Sequence, residues 1–389
     1  MKQPAATIAE RNRVVERIIE ALDQRSGFLV TGHKAVDEDC LAAMVAFSLI
    51  ATKFAKTATI LVEGPIHENL DFLVRICRYN AIEVIDRPED ASDFDTVVIC
   101  DTAKRDLLAH RETVLNLVAN PDIEAFEIDH HLESDSEYLT ERDCALVDQA
   151  TSASELVGLV AYKLSTKQAL LEERQVFEIF TRNVVLAILT GVIGDTQMGK
   201  FLHNRKERRM YVAYIEIFGS MLFEKTQQQS NNLASVEQLF SELRKLSRRE
   251  EECFDQLFGM RKQDGAVSYL SISEDEYRAL VERYGDESLS TVLRTVADSL
   301  AEDSGRVSLV VYSGRPAGSE LLQCRARRSK HYKNIDLRKL LTQMNIENGG
   351  GHQGAIGFRI PLAELSDIEA FIEQLLFALN DMVRKAEVA

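Results

Sequence analysis

The chain has 389 residues, 45% of them hydrophobic and 28% charged, with a formal net charge of −16. That length buries a full core and points to two domains or more, and the acidic balance argues against a protein that grips long nucleic acid through its phosphates. Six cysteines (Cys40, Cys77, Cys100, Cys144, Cys253, Cys324) without a C-x-x-C pair argue against a zinc ribbon, a redox dithiol or a disulfide scaffold.

Residues 7–24 repeat apolar side chains at helical spacing against a charged face, which predicts a helix. Short apolar runs then alternate with helical segments. Strands are predicted at 28–31, 58–62, 82–85, 96–100 and 124–128, and helices at 41–55, 107–118, 152–164 and 176–193. Such alternation predicts a parallel sheet covered on both faces by helices. The longest apolar runs, 41–51 and 184–193, are too short to span a bilayer. Residues 1–13 lack the apolar centre of a signal peptide, so a cytoplasmic location is the expectation.

Residues 205–260 are highly charged, contain no proline and read as connecting helices. A smaller α/β unit follows, with strands at 267–272, 307–312, 321–325 and 355–360 and helices at 289–301, 336–344 and 365–385. The expected organisation is an α/β domain over 1–204, a helical connector over 205–262 and a smaller α/β domain over 263–389.

The chemistry gathers at predicted strand ends, where parallel sheets bind ligands. The first strand runs into Gly32-His33-Lys34-Ala35-Val36-Asp37-Glu38-Asp39, and the strand at 96–100 ends on Asp101. The strand at 124–128 runs into Asp129-His130-His131, and the helix at 176–193 leads into a glycine-flanked turn with Asp195. Each aspartate alone is readily a helix cap or turn former; two adjacent histidines beside an aspartate have few structural uses. Together they form a carboxylate and imidazole set without thiolate, which suits a divalent ion. Manganese fits best, with iron, cobalt or magnesium as alternatives. The set exceeds the needs of one ion, and two ions sharing a carboxylate suit in-line displacement at phosphorus.

The second domain carries Gly349-Gly350-Gly351-His352, read as a glycine turn whose backbone N–H groups approach a phosphate. Arg325 and Arg327 alternate onto one face of an extended stretch, and arginine forks match phosphate geometry.

These segments together resemble the DHH phosphoesterase superfamily, in the branch whose C-terminal domain carries a GGGH motif. The matching elements are HKAVDED (33–39), Asp101, IDHH (128–131), GVIGDT (191–196) and GGGHQGAIG (349–357), in the family's order. The resemblance implies that His33, Asp37 and Asp101 hold one manganese ion and Asp39, Asp101, His130 and Asp195 a second. It implies that His131 faces the scissile phosphate and that Asp129 supports a histidine. Arg325, Arg327 or Arg328, with Gly350, Gly351 and His352, would grip the substrate's terminal phosphate. The chain departs from the pattern at Val36, where the family usually has proline, and at Ala42-Ala43, where it usually has glycine and serine.

The expected activity is a manganese-dependent phosphodiesterase. It would hydrolyse short oligonucleotides or linear dinucleotides to mononucleotides by two-metal in-line attack of hydroxide. A cyclic dinucleotide phosphodiesterase or a 3′-phosphoadenosine phosphate phosphatase is the nearest alternative; an inorganic pyrophosphatase or a catalytically silent nucleotide-binding regulator is more distant. Long duplex nucleic acid and membranes are not expected partners, and a homodimer is a possibility through an apolar helix face in the connector.

Overall fold

The computed structural model describes every residue except 6, 91–93, 133–134, 200–201, 203–204, 228–230, 314–320, 347 and 389. Its contacts divide the chain into two compact units, Met1–Lys245 and Leu246–Ala389.

The first unit begins with α1 (Ile8–Gln24) and β1 (Gly27–Thr31), followed by α2 (Glu38–Lys53), β2 (Thr57–Leu61), α3 (Asp71–Tyr79), β3 (Glu83–Ile85) and β4 (Thr96–Cys100). It continues through α4 (Arg111–Val118), β5 (Glu124–Asp129), β6 (Ala145–Val147), α5 (Ala153–Ser165), α6 (Gln168–Glu173), α7 (Arg182–Thr196), α8 (Arg205–Lys225) and α9 (Val236–Leu243). The six strands lie in the order β3-β2-β1-β4-β5-β6, and every neighbouring pair is parallel.

Side chains alternate across a strand, and both faces here are apolar. Phe28, Val30, Ile60, Val98, Phe126 and Ile128 meet the large core formed with α1, α2, α3, α5 and α7. Leu29, Leu61, Val97 and Ile99 turn to the opposite face and pack with Leu108 and with Val114 of α4. Each such fully buried side chain contributes roughly 1.5–3 kcal/mol. Helix α2 is buried continuously from Asp39 to Ala51, and α7 from Val184 to Ile193. Helices apolar all round belong inside a core, and these two pack on each other.

The second unit contains α10 (Arg248–Gly259), β7 (Lys262–Asp264), β8 (Val267–Ile272), α11 (Glu274–Tyr284), α12 (Asp286–Ser304), β9 (Val307–Ser313), β10 (Leu321–Arg328), α13 (Arg338–Gln343), β11 (Gly349–His352), β12 (Ala355–Pro361) and α14 (Ile368–Val388). Its sheet runs β11-β12-β10-β9-β8-β7, antiparallel except for the β8–β9 pair. One face packs on α10, α11 and α12, and the other on α14. Both units are therefore α/β, the first with a wholly parallel sheet.

Three expectations change. The helix expected at 107–118 starts only at Arg111, because His110 takes φ 44° and breaks the right-handed run. The helix expected at 176–193 spans Arg182–Thr196, so Asp195 lies in its last turn and the chain bends only at Gln197, with φ 44°. The glycine turn is an extended strand: Gly349–His352 pairs along β12, with Gly350 opposite Gly357. No helix of the described residues is long and apolar enough to cross a membrane.

Candidate metal centre

Strands β1 and β4 are neighbours at the point where the strand order reverses, with β2 and β3 built outward on one side and β5 and β6 on the other. Connections diverge from such a switch point and leave a crevice at the carboxyl ends of the strands. His33 follows β1, Asp101 follows β4, and Asp129 ends β5 just before His130 and His131.

Gly32 precedes His33 because nothing larger fits. A Cβ there would stand 2.2 Å from Cys40 Sγ and 2.9 Å from the Cys100 carbonyl. Asp101 adopts φ 49°, a left-handed conformation that aspartate tolerates better than most residues. Its side chain is buried in the cluster.

Two sets of ligand atoms meet on that carboxylate. His33 Nε2 lies 3.6 Å from Asp101 Oδ2 and 3.4 Å from Asp37 Oδ1. His130 Nε2 lies 3.3 Å from Asp101 Oδ1, 3.5 Å from Asp195 Oδ2 and 4.0 Å from Asp39 Oδ2. Asp37 also caps α2 by accepting the Cys40 N–H at 3.0 Å.

Asp39 is held from behind by α5. Its Oδ2 accepts the Ala153 N–H at 2.6 Å and its Oδ1 the Ser154 N–H at 3.0 Å, at the electropositive end of the helix. Gly191 of α7 makes room for this arrangement: a Cβ there would fall 2.0 Å from Ser154 Oγ and 2.2 Å from Asp39 Oδ1. His131 is held likewise, its Nδ1 donating to Asp129 Oδ1 at 2.7 Å.

The distances separate supporting contacts from facing ones. The supports, at 2.6–3.0 Å, are ordinary charge-assisted hydrogen bonds. The facing pairs are looser, and Asp101 Oδ1 is buried without accepting a hydrogen bond. Ligand atoms around an ion at about 2.1 Å stand roughly 3.0–3.4 Å apart, which is close to the spacing of the facing pairs.

Electrostatics point the same way. Burial, followed by the charges of Asp101 and Asp195, pushes the Asp39 carboxyl well above its usual range, with His130 opposing. Burial and Asp101 raise Asp195 to about 6 against the pull of His130. For Asp101, burial works upward, but His130 and His33 outweigh it and hold the group below the usual carboxylate range. Two buried carboxylates, with Asp195 beside them at the solvent edge and 38% exposed, call for positive charge, and a divalent ion supplies it. Burial pushes the Cys40 thiol up to about 12 and the Cys100 thiol well above its usual value, while Cys40 Sγ lies within ligand reach of His33 and Asp101.

The sequence-predicted residues His33, Asp37, Asp39, Asp101, Asp129, His130, His131 and Asp195 thus converge in the first unit. The other candidates lie in the second. Arg325 donates from Nη2 to the Tyr312 hydroxyl at 3.2 Å, and its Nε is buried without a partner. Arg327 is committed to Asp298 at 3.0 Å and to the Ile356 carbonyl at 3.0 Å. Arg328 donates to the carbonyls of Lys333 and Ile335 at 2.8 and 2.5 Å. Gly350 and Gly351 lie on β11, the edge strand of its sheet; the side chain of His352 lies outside the described residues. Sequence reasoning missed Lys2, which is 1% exposed and contacts Asp129. A lone lysine far from any motif gives no signal of this.

A centre of clustered carboxylates and imidazoles at the switch point of a parallel sheet defines a metal-dependent α/β protein. Residues 27–192 match the DHH family, N-terminal domain, and this part of the chain belongs to that family. The protein is accordingly a hydrolase of phosphoester bonds. No curated protein sequence matches the chain.

Among solved structures, an exopolyphosphatase-related protein from Bacteroides fragilis is 16% identical with a TM-score of 0.51, covering 96% of this chain and 98% of that one. It shares the fold. A pGpG-specific phosphodiesterase from Vibrio cholerae is 14% identical with a TM-score of 0.31, covering 92% of this chain and 99% of that one. RecJ from Thermus thermophilus, in complex with manganese, is 14% identical with a TM-score of 0.33, covering 97% of this chain and 55% of that one.

Proposed function

We propose that the protein hydrolyses short nucleotide phosphodiesters, linear dinucleotides or short oligonucleotides, to mononucleotides with two divalent ions, manganese first. The observation that carries this reading is the sharing of one buried carboxylate, Asp101, between two ligand sets. His33, Asp37 and Asp101 would hold one ion, and Asp39, Asp101, His130 and Asp195 the other. Bound there, such ions polarise phosphoryl oxygens and generate a nucleophile from water at neutral pH.

The chain's own residues do the rest. His131, fixed by Asp129, presents its second ring nitrogen to the scissile phosphate. Asp39, pinned by two N–H groups of α5, keeps its place without reorganising. Of the three arginines, Arg327 is paired with Asp298 and Arg328 holds two backbone carbonyls, so Arg325 is assigned to the substrate's terminal phosphate, with Gly350, Gly351 and His352 as further contacts. The resemblance to the branch with the GGGH motif supports that assignment. The net charge of −16 favours a short ligand over a long strand.

A panel of linear dinucleotides, cyclic dinucleotides, 3′-phosphoadenosine phosphate and pyrophosphate, assayed with manganese, tests this. Cleavage of linear dinucleotides ahead of the others is expected. Preference for a cyclic dinucleotide or 3′-phosphoadenosine phosphate would move the substrate within the class. Cleavage of pyrophosphate alone would overturn the proposal.

A further inference from the structure

A lysine is almost never fully buried unless it is paired, and Lys2 is 1% exposed. Its ammonium donates to Asp129 Oδ2 at 2.5 Å and to the Thr102 carbonyl at 2.6 Å, and Glu127 Oε1 lies 2.5 Å away as an ion-pair partner. Glu127 and Asp129 point the same way because they are two residues apart on β5. Both side chains are 0% exposed. Without the lysine, β5 would bury two like charges side by side.

The contacts reach both strand ends that supply the metal centre. Thr102 follows Asp101 directly after β4, and Asp129 precedes His130 and His131 after β5. The backbone around Lys2 is fastened as well. Its N–H donates to Ser136 Oγ at 2.9 Å, the Gln3 N–H to the Tyr138 hydroxyl at 3.1 Å, and the Ala5 N–H to the Val147 carbonyl at 3.2 Å. The segment therefore runs along the loop that follows His131 and along β6.

Asp129 divides its two oxygens. Oδ2 receives the ammonium, and Oδ1 receives His131 Nδ1 at 2.7 Å. A carboxylate can only accept, so Nδ1 carries the hydrogen, and in the neutral ring Nε2 is left bare. Partners of this kind fix the tautomer and orientation of a working histidine, and losing one typically costs 10–100-fold in activity.

We propose that Lys2 is a positioning residue for the hydrolase: by occupying Asp129 Oδ2 and the Thr102 carbonyl, it locks Asp129 onto His131 Nδ1 and ties the ends of β4 and β5 together. This rests on the phosphodiesterase reading, but the lock on His131 can be observed without turnover.

Lys2→Met alone leaves two buried carboxylates unpaired, so the informative variant is Lys2→Met with Glu127→Gln, which removes one charge of each sign. If that double variant does not fold, Lys2→Gln carries the same readouts with a neutral donor. The imidazole nitrogens of His131 are read by ¹⁵N NMR in the magnesium-loaded full chain and assigned with His131→Gln. The wild type should show a single Nδ1–H form and the variant a mixture. With manganese and a linear dinucleotide, kcat should fall about tenfold or more while KM stays within twofold. An unchanged His131 spectrum in a folded variant would overturn the proposal, as would an unchanged kcat. A wild type that cleaves no phosphoester, with the spectrum still sensitive to Lys2, would overturn the phosphodiesterase reading and leave the lock standing.

Discussion

At the end of β5, His130 Nε2 faces oxygens of three carboxylates at 3.3–4.0 Å. On β10, Arg328 Nη1 sits 2.5 and 2.8 Å from two backbone carbonyls. Both residues are polar side chains singled out by motif, yet their surroundings use them differently. The arginine is consumed by the fold, since its hydrogen bonds hold the 333–335 loop. Asp39, one of the three, is held from behind by α5 and left loose toward the histidine, and a group kept in place but unused is available for a ligand. By the same criterion Arg325, with a buried Nε that has no partner, is closer to the histidine than to its neighbour Arg328.

Five substitutions test this contrast. Asp101→Asn keeps shape and tolerates the left-handed backbone, so the fold should survive while turnover falls on the order of 10³-fold. Circular dichroism beside a dinucleotide assay checks this, and near-normal turnover would remove Asp101 from the centre of the site. Asp129→Asn, one step behind, should cost about 10–100-fold, with manganese binding by titration calorimetry much less affected.

Gly191→Ala probes the backing of Asp39. The added Cβ meets Ser154 Oγ and Asp39 Oδ1 at 2.0 and 2.2 Å, so stability should drop by about 1–3 kcal/mol in urea unfolding. Manganese affinity should weaken with it. If affinity is unchanged, α5 does not hold the ligand in place.

The smallest effects should divide the arginines. Arg325→Ala should raise KM about tenfold with little change in melting temperature, the worth of one charge-assisted hydrogen bond. Arg328→Ala should do the reverse, losing about 1–2 kcal/mol of stability with KM unchanged. An opposite outcome would mean that substrate displaces Arg328 from its carbonyls.

The sheet and the histidine cluster were legible because their signals are local. Runs such as Thr96–Cys100 are apolar throughout, and in a parallel sheet the residue after such a run is already placed. The glycine segment was misread as a turn because its extended form depends on pairing with β12, which no local signal announces. The choice among Arg325, Arg327 and Arg328 depends on partners 5–29 residues away. Lys2 meets Glu127 and Asp129 across more than a hundred residues, with no motif at either end. Ligand positions follow from where strands end, whereas the residues that steady them come from wherever the chain returns.

The grip of α5 on Asp39 gives the centre a built-in reporter. The amides of Ala153 and Ser154 donate to the two oxygens of a carboxylate whose Oδ2 also faces His130. Drawing electron density from those oxygens toward a cation weakens the two N–H bonds' acceptors. Exchange of these amides with deuterium should therefore quicken with occupancy, and two backbone protons would register filling of the site without label, substrate or turnover.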